Sequence, residues 1–154
     1  MRRLSLPLIF SCLLALTLST QAATGRIVKV LPAFLDLKGR HTLSPSLFER
    51  DAYQVKLRQH PEHRSGMRFD VQWRVHGRVE QPLKMRVELL GTAKGDLPSK
   101  SVLEMPVEKG TWFGRWSTLR FTGDDYQKFG EVTAWRATLW EGDNLLSEQK
   151  SFLW

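Results

Sequence analysis

The sequence predicts an all-β fold, an antiparallel two-sheet sandwich with about seven strands and one short helix inserted between the first two strands. Three observations support this prediction. Apolar and polar residues alternate along several segments, turn signals separate those segments at hairpin spacing, and one segment has helical periodicity. Because helices do not alternate with the strands, a parallel α/β sheet is disfavoured.

Two segments carry the clearest strand pattern. Residues 67–76 and 83–90 alternate apolar with polar side chains, which places one face of each strand in the core and the other in water. The remaining strands are predicted at 27–31, 102–107, 111–121, 131–141 and 145–154. Pro32 is expected to end the first of these, and Pro106 predicts an edge position or a bulge.

The helix is predicted over residues 47–59. Ser46 begins a capping-box pattern, and Phe48, Ala52 and Val55 share one helical face before a proline stops the run. The segment lies between the first strand and the strand at 67–76, so it interrupts the succession of strands only once.

A hairpin is predicted for the last two strands, because the Gly-Asp-Asn sequence at 142–144 is a strong turn signal. With that turn, Trp140 faces Leu145 and Trp135 faces Lys150. This register assigns one face to the core, with the side chains of Trp135, Ala137, Leu139, Leu146, Phe152 and Trp154. It places Trp140 at the turn end of the opposite face, as the tryptophan expected to be partly exposed.

The second half of the chain resembles the E, F and G strands of immunoglobulin-like domains. Phe121-x-x-x-Asp125, with a turn predicted at 122–125, is similar to the start of the corner before strand F. Phe129 then stands where that corner has its tyrosine and Glu131 where it has its cysteine, so the resemblance implies an immunoglobulin-like architecture alone. The chain from residue 23 also resembles small uncharacterised exported bacterial proteins of this type, which implies no activity.

The first 22 residues have the three parts of a removable secretory signal peptide. Arg2 and Arg3 supply positive charge, residues 4–18 form an apolar run, and Ala22 or Ala23 offers the small residue before the cleavage site. A membrane-spanning helix needs about 20 apolar residues, so this run is too short to be an anchor.

Removal of the first 22 residues from 154 leaves 132, which suits a single domain over residues 23–154. The one cysteine, Cys12, lies in the leader, and lipidation at Cys12 is an alternative fate. A domain without cysteine excludes cysteine nucleophiles, thiolate metal sites and disulfides. The protein is therefore predicted to be bacterial and exported, periplasmic or extracellular, with no transmembrane span after signal removal.

The domain carries an excess of positive charge that is concentrated in one segment. Without Arg2 and Arg3, 21 of the 23 basic residues remain against 16 acidic ones. Residues 56–86 hold eight basic and three acidic groups, the basic ones being Lys56, Arg58, Arg64, Arg68, Arg74, Arg78, Lys84 and Arg86. The seven from Arg58 to Arg86 predict a basic surface for a protein or an anionic envelope polymer, with a plain solvated surface as the alternative.

All six tryptophans lie beyond the leader. Trp112 and Trp116 are predicted on one face of a strand with Gly114 between them, which leaves a gap for a flat ligand or for a neighbouring core side chain. With Trp140 they are the candidate ligand-binding residues, and a polysaccharide is a ligand that stacks on an exposed tryptophan.

No residue pattern points to catalysis, so the protein is predicted not to be an enzyme and to need no cofactor. The sequence has no Walker loop, no nucleophile elbow and no His-Glu-x-x-His motif. Pro61 separates His60 from His63 and breaks the helical register that aims two imidazoles at one ion, so no metal site is expected. Nucleic acid is not expected as a partner either, because alternation places Phe69 and Trp73 in the core, away from the arginines.

Three functions remain. The first is a non-enzymatic exported binding module of the cell envelope or secreted fraction, with a ligand that the sequence does not identify. The second is a carbohydrate-binding module that uses exposed tryptophans. The third is a small outer-membrane β-barrel, suggested by the terminal Phe-Leu-Trp and opposed by Glu148 and Lys150, which interrupt an apolar series that would face lipid.

Overall fold

The computed structural model describes residues 22–111 and 113–154. Residues 1–21, which hold almost all of the predicted signal peptide and Cys12, lie outside the described residues, as does Trp112. The elements in chain order are β1 (Thr24–Asp36), α1 (Leu47–Gln59), a 3₁₀ turn (Pro61–His63), β2 (Arg64–His76), β3 (Leu83–Thr92), β4 (Pro98–Val107), β5 (Arg115–Thr122), α2 (Gly123–Phe129), β6 (Glu131–Glu141) and β7 (Asn144–Lys150). Among the described residues, no helix is both long enough and apolar enough to cross a membrane.

The seven strands form two antiparallel sheets. One sheet has three strands in the order β1-β2-β5, and the other has four in the order β4-β3-β6-β7. The predictions of seven strands, two antiparallel sheets and a helix between the first two strands are confirmed.

The core lies between the two sheets and is filled mainly from β2, β3 and β6. Alternate residues of β2, such as Phe69 and Trp73, are fully buried, and those of β3, such as Met85 and Val87, lie in the same cluster. The indole nitrogen of Trp73 donates to Ser117 Oγ at 2.8 Å, which satisfies its buried donor. The alternation in both segments therefore identified the inward faces correctly.

The N-terminal and C-terminal strands of the described chain meet at one side of the molecule. Ile27 in β1 donates its N–H to Ser147 Oγ in β7 at 2.9 Å, across 120 residues of sequence. A Cβ added to Gly25 would lie 2.7 Å from Leu146 Cβ, so the two strands pack too closely there for any larger residue. The two sheets are thus joined along the β1–β7 side.

Helix α1 has the predicted bounds, but a different face is buried. Ser46 Oγ accepts a hydrogen bond from the N–H of Glu49 at 3.5 Å, as the capping box predicts. Phe48 remains 83% exposed and Val55 48% exposed, whereas Leu57 is the buried residue of the helix. The shared apolar face therefore did not indicate how the helix packs.

Polar groups hold α1 against the end of β1. The Gln54 amide donates to the carbonyls of Phe34 at 3.0 Å and His41 at 2.8 Å, and its oxygen accepts from Phe34 N–H at 2.8 Å. Tyr53 Oη donates to Asp36 Oδ2 at 2.7 Å. These hydrogen bonds, together with the burial of Leu57, set the orientation of the helix and leave Phe48 and Val55 exposed.

The two prolines that were expected to limit strands behave differently. Pro32 does not end β1, which continues to Asp36 with Pro32 opposite Phe69. Strand β1 lies at the edge of its sheet, so one of its sides has no neighbouring strand. On that side the missing N–H of Pro32 costs no hydrogen bond between strands. Pro106 lies in β4, also an edge strand, as predicted.

The connection between β5 and β6 is a short helix and not the predicted turn. Residues 122–125 begin α2, with Asp124 and Asp125 in its first turn, where their charge favours the helix N-terminus. Phe129 is the last residue of this helix and is buried in the core, where its ring centroid lies 5.1 Å from that of Phe121. The turn-forming residues therefore start a helix that carries an apolar anchor.

The final hairpin follows the predicted register only next to its turn. Trp140 pairs with Leu145 as predicted, but a register shift between Leu139 and Trp140 places Arg136, instead of Trp135, opposite Lys150. The strand also ends at Lys150, and Phe152 is 99% exposed, so its assignment to the core is wrong. A bulge of this kind adds one residue to one strand and leaves no clear signal in the sequence.

Candidate functional site

The basic residues that were predicted to form one surface lie in several separate places in the structure. Arg68 and Arg74 point outward from the three-stranded sheet, while Lys84 and Arg86 point outward from the four-stranded sheet. Arg58 lies on α1, and Arg78 lies in a loop with its guanidinium 3.9 Å from Glu80. These basic residues are therefore close together in the sequence but do not share one surface.

Arg64 belongs to no surface, since it is only 5% exposed. Its guanidinium donates to the carbonyls of Leu57 and Arg58 in the last turn of α1 and lies 2.9 Å from a carboxylate oxygen of Glu131. It also lies 3.9 Å from the ring centroid of Phe34. The last carbonyls of a helix lack intrahelical partners, so Arg64 is a structural cap for α1 and not a binding residue.

On the outer face of the four-stranded sheet, three basic side chains pair with acidic ones of the same sheet. Glu104 on β4 lies 2.6 Å from Arg86 and 3.6 Å from Lys84, and Glu88 on β3 lies 2.6 Å from Arg136. Cross-strand pairs of opposite charge stabilise a sheet locally. Lys84 and Arg86 are therefore already partnered within the chain.

The outer face of the three-stranded sheet has the opposite character. We call it the basic face, and it consists of Arg26 and Lys29 on β1, Arg68 and Arg74 on β2, and Arg120 on β5. Arg26 lies directly opposite Arg74, Arg68 lies directly opposite Arg120, and Lys29 lies opposite Gln72. Three strands that are distant in sequence thus contribute to one positively charged surface.

Little negative charge compensates the basic face from within. Asp70 is the acidic group between its basic residues, and it is bonded to Arg68 at 2.7 Å and to Thr118 Oγ1 at 2.6 Å. The side chains of Arg26, Lys29, Arg74 and Arg120 form no ion pair within residues 22–111 and 113–154. Like charges directly opposite each other destabilise a sheet, so this arrangement has a cost in the free protein.

A groove of about 420 Å³ separates α1 from the basic face. Both apolar and charged or polar side chains line it, including Leu31, Phe34, Val55, Met67, His41, Arg50 and Arg58. His41 Nδ1 lies 3.4 Å from an Arg68 guanidinium nitrogen. Burial and, second, the charge of Arg68 lower the pKa of His41, so this imidazole stays neutral and accepts from Arg68.

The tryptophans differ in exposure. Trp140 is partly exposed, as predicted, and donates its indole N–H to Thr138 Oγ1 at 2.9 Å. Trp116 on β5 is 51% exposed and is the most exposed of the tryptophans that the structure describes. Trp116 lies opposite Gln72, beside Arg74 on the basic face, while Trp140 lies opposite Lys84 on the other sheet. The exposed aromatic ring and the unpaired cations therefore share one face.

Gly114 is closely packed on the side of β2. It has a φ of 83° and precedes β5, which begins at Arg115. A Cβ at position 114 would lie 2.6 Å from the carbonyl oxygen of Trp73. Glycine is needed there for the left-handed conformation and for close backbone approach, not to admit a ligand.

The basic face, Trp116 and the adjoining groove are the candidate site. Sequence reasoning found Arg68, Arg74 and Trp116 but missed Arg26, Lys29 and Arg120, because their place on this face depends on which strands pair. Comparisons with known protein families, with curated proteins and with solved structures found no match to this chain.

Proposed function

We propose that this protein is a non-enzymatic exported binding module that holds an anionic polymer of the bacterial cell envelope on its basic face. The observation that carries the proposal is the contrast between the two outer faces. On the four-stranded sheet, Glu104 and Glu88 pair with three basic side chains and leave Lys100 and Lys150 without an ion pair. On the basic face, four of the five basic side chains have no ion pair in the described chain: Arg26, Lys29, Arg74 and Arg120. A surface lined by one sign of charge attracts ligands of the other sign.

The spacing of the cations suits a polymer better than a small anion. The charges lie in two opposed pairs, Arg26 with Arg74 and Arg68 with Arg120, and the pairs are six residue steps apart along β2, from position 68 to position 74. Strand residues advance by about 3.3 Å each, so the two pairs lie roughly 20 Å apart. A chain with repeated carboxylate, phosphate or sulfate groups engages both pairs at once, whereas one small anion contacts only one.

The test compares two double variants that remove the same charge from opposite sheets. Arg74→Thr with Arg120→Thr alters the basic face, and Lys84→Thr with Arg86→Thr removes two cations that pair with Glu104 on the outer face of the other sheet. Binding to dextran sulfate, to poly-L-glutamate and to uncharged dextran is measured by calorimetry at low and high salt. We expect the basic-face variant to bind dextran sulfate on the order of tenfold more weakly, and the control to bind as wild type does.

Two results would contradict this proposal. Equal losses in both double variants would show that net charge alone, and not the basic face, governs binding. Binding to poly-L-glutamate that is tighter than to dextran sulfate at the same charge density would favour an acidic protein as partner instead of a polysaccharide-like polymer. Exposed ion pairing weakens with salt, so wild-type affinity is also expected to fall as ionic strength rises.

A second candidate function is carbohydrate binding, which the exposure of Trp116 favours. A flat indole face that is 51% exposed beside arginines can stack on a sugar ring. Titration of neutral oligosaccharides should then quench tryptophan fluorescence in the wild type and not in Trp116→Thr. A flat titration across a neutral glycan panel removes this candidate and leaves the first one standing.

We also propose that the two-sheet architecture is immunoglobulin-like. In that scheme β1, β2 and β5 correspond to strands A, B and E, and β4, β3, β6 and β7 correspond to C′, C, F and G. The strand orders β1-β2-β5 and β4-β3-β6-β7 support it, because the variable type adds strand C′ to the sheet that contains C, F and G. Helix α2 then occupies the corner before strand F.

A further inference from the structure

We propose that His60, Glu62 and His63 form a binding site for a divalent transition-metal ion. The proposal is independent of the basic face, because the three residues lie at the far end of α1 in and beside the 3₁₀ turn. Their nitrogen and carboxylate ligand atoms all lie within 4.8 Å of one another. Two imidazoles and one carboxylate are a donor set that suits Zn²⁺, Ni²⁺ and Cu²⁺.

The local backbone is what brings the two imidazoles together. Residues three apart are eclipsed on a 3₁₀ helix, and the rings of His60 and His63 are stacked with centroids 5.3 Å apart and planes inclined by 26°. The prediction that Pro61 keeps the two imidazoles apart assumed α-helical spacing. Pro61 instead occupies the first position of the turn, where a missing N–H is tolerated.

The third ligand already faces the first. Glu62 Oε1 lies 2.9 Å from His60 Nδ1, so a carboxylate oxygen and an imidazole nitrogen converge without a metal. A metal ion at this point is held by these two groups and gains His63 as a further ligand.

The turn is anchored on both sides, which fixes the backbone that carries the ligands. His60 N–H donates to the carbonyl of Lys56 and His63 N–H donates to the carbonyl of His60, each at 3.0 Å. Arg64, which follows the turn, is buried and clamps the end of α1. Ordering of the ligand-bearing backbone therefore adds little to the cost of binding.

The environment limits the expected strength of binding. All three residues are exposed, so an ion keeps water in its remaining coordination positions and its charge stays solvated. Lys56 and Arg58 lie in the last turn of α1 and oppose a further positive charge. These features predict a micromolar site instead of a structural one that the fold requires.

The test is calorimetric titration of the untagged full chain with Zn²⁺ and with Ni²⁺ in a buffer that does not coordinate metals. We expect one ion per chain, with affinity lower by at least about tenfold in His60→Gln and in His63→Gln. His76→Gln is the matched control and should bind as wild type does. Thermal unfolding of each variant checks the fold, and exposed His60 and His63 should tolerate glutamine.

A second measurement keeps the result independent of calorimetric heat. In proton–nitrogen spectra of the histidine rings, Zn²⁺ should shift the signals of His60 and His63 together and leave that of His41 unchanged. The proposal is wrong if millimolar Zn²⁺ moves neither ring, or if the two single variants bind Zn²⁺ with wild-type affinity.

Discussion

Arg26 and Arg74 lie directly opposite each other on the antiparallel strands β1 and β2, although no ion pair within the described chain neutralises either guanidinium. Like charges in opposed positions repel, and the repulsion is released when one of them is removed. Arg74→Thr is therefore expected to raise the free energy of unfolding by about 0.2–1 kcal/mol at low salt. Urea denaturation checks this, with Arg86→Thr, which breaks a pair with Glu104, as the control that should not gain stability.

The same variant should bind dextran sulfate more weakly, so stability and affinity move in opposite directions. A functional face commonly retains groups that the fold alone would not select. Loss of stability in Arg74→Thr would instead indicate that Arg74 supports the sheet.

Arg64 is predicted to be the basic residue on which stability depends most. Arg64→Met keeps much of its volume but leaves the carbonyls of Leu57 and Arg58 without their donor and should cost about 2–3 kcal/mol. Glu131→Gln is the matched control, since the Glu131 side chain is 58% exposed and should cost less than about 1 kcal/mol. Equal costs for the two variants, measured by chemical denaturation, would mean that the ion pair and not the helix cap is the stabilising contact.

Asp36 should make stability depend on pH in the acid range. Burial by itself raises the pKa of this carboxyl, but hydrogen bonds from Arg40, Tyr53 and Lys38 outweigh burial and lower its pKa from 3.8 to about 2. The folded state therefore binds the proton less readily than the unfolded state. Ionised Asp36 therefore contributes about 1–2 kcal/mol to the free energy of unfolding, after allowance for solvent screening. This contribution is complete above about pH 4 and is lost as the pH falls towards 2.

Urea unfolding of wild type and Asp36→Asn at several pH values between 2 and 7 measures this contribution. The variant should lack the wild-type slope between about pH 4 and pH 2. Asp51→Asn, which alters an exposed side chain on α1, should keep that slope. An unchanged slope in Asp36→Asn would assign the acid sensitivity to other carboxyl groups.

A comparison of alanine variants at Gly114 and Gly95 distinguishes the effect of backbone strain from that of steric contact. Both have positive φ, 83° at Gly114 and 77° at Gly95, but a Cβ would meet Trp73 O at 2.6 Å only at position 114 and nothing within 4 Å at position 95. Alanine at either site carries the conformational cost, of about 1 kcal/mol. Gly114→Ala should therefore lower the melting temperature further than Gly95→Ala, and equal shifts would restore the possibility of open space beside Trp116.

Sequence patterns identified the strands wherever burial follows the two-residue period. In β2 and β3, the inward residues from Phe69 to Leu89 could be assigned because both neighbours of each strand are in the sheet and one whole face is covered. Helix α1 was located by its N-cap. Its orientation was not predictable, because Gln54 and Tyr53 dock it through hydrogen bonds that hydrophobic periodicity does not detect.

The candidate site was harder to predict than the fold. Residues 56–86 contain an excess of charge, but a helix, two sheets and a loop divide them among unrelated surfaces. Arg26 and Arg120 join Arg68 and Arg74 only because β1 and β5 both pair with β2. Such pairing between distant segments is set by the whole fold, so local charge counts cannot show it.

The contact of Ile27 with Ser147 makes the order of folding depend on the last strand. Strand β1 pairs with β2 in its own sheet, but its contact with β7 of the other sheet can form only after 120 further residues of chain are available. Until β7 docks, the inward faces of β2 and β3 lack part of their cover, and contacts of such sequence separation form slowly. The side on which β1 and β7 join the two sheets is therefore expected to be the last part of the core to close, once almost the whole chain is available.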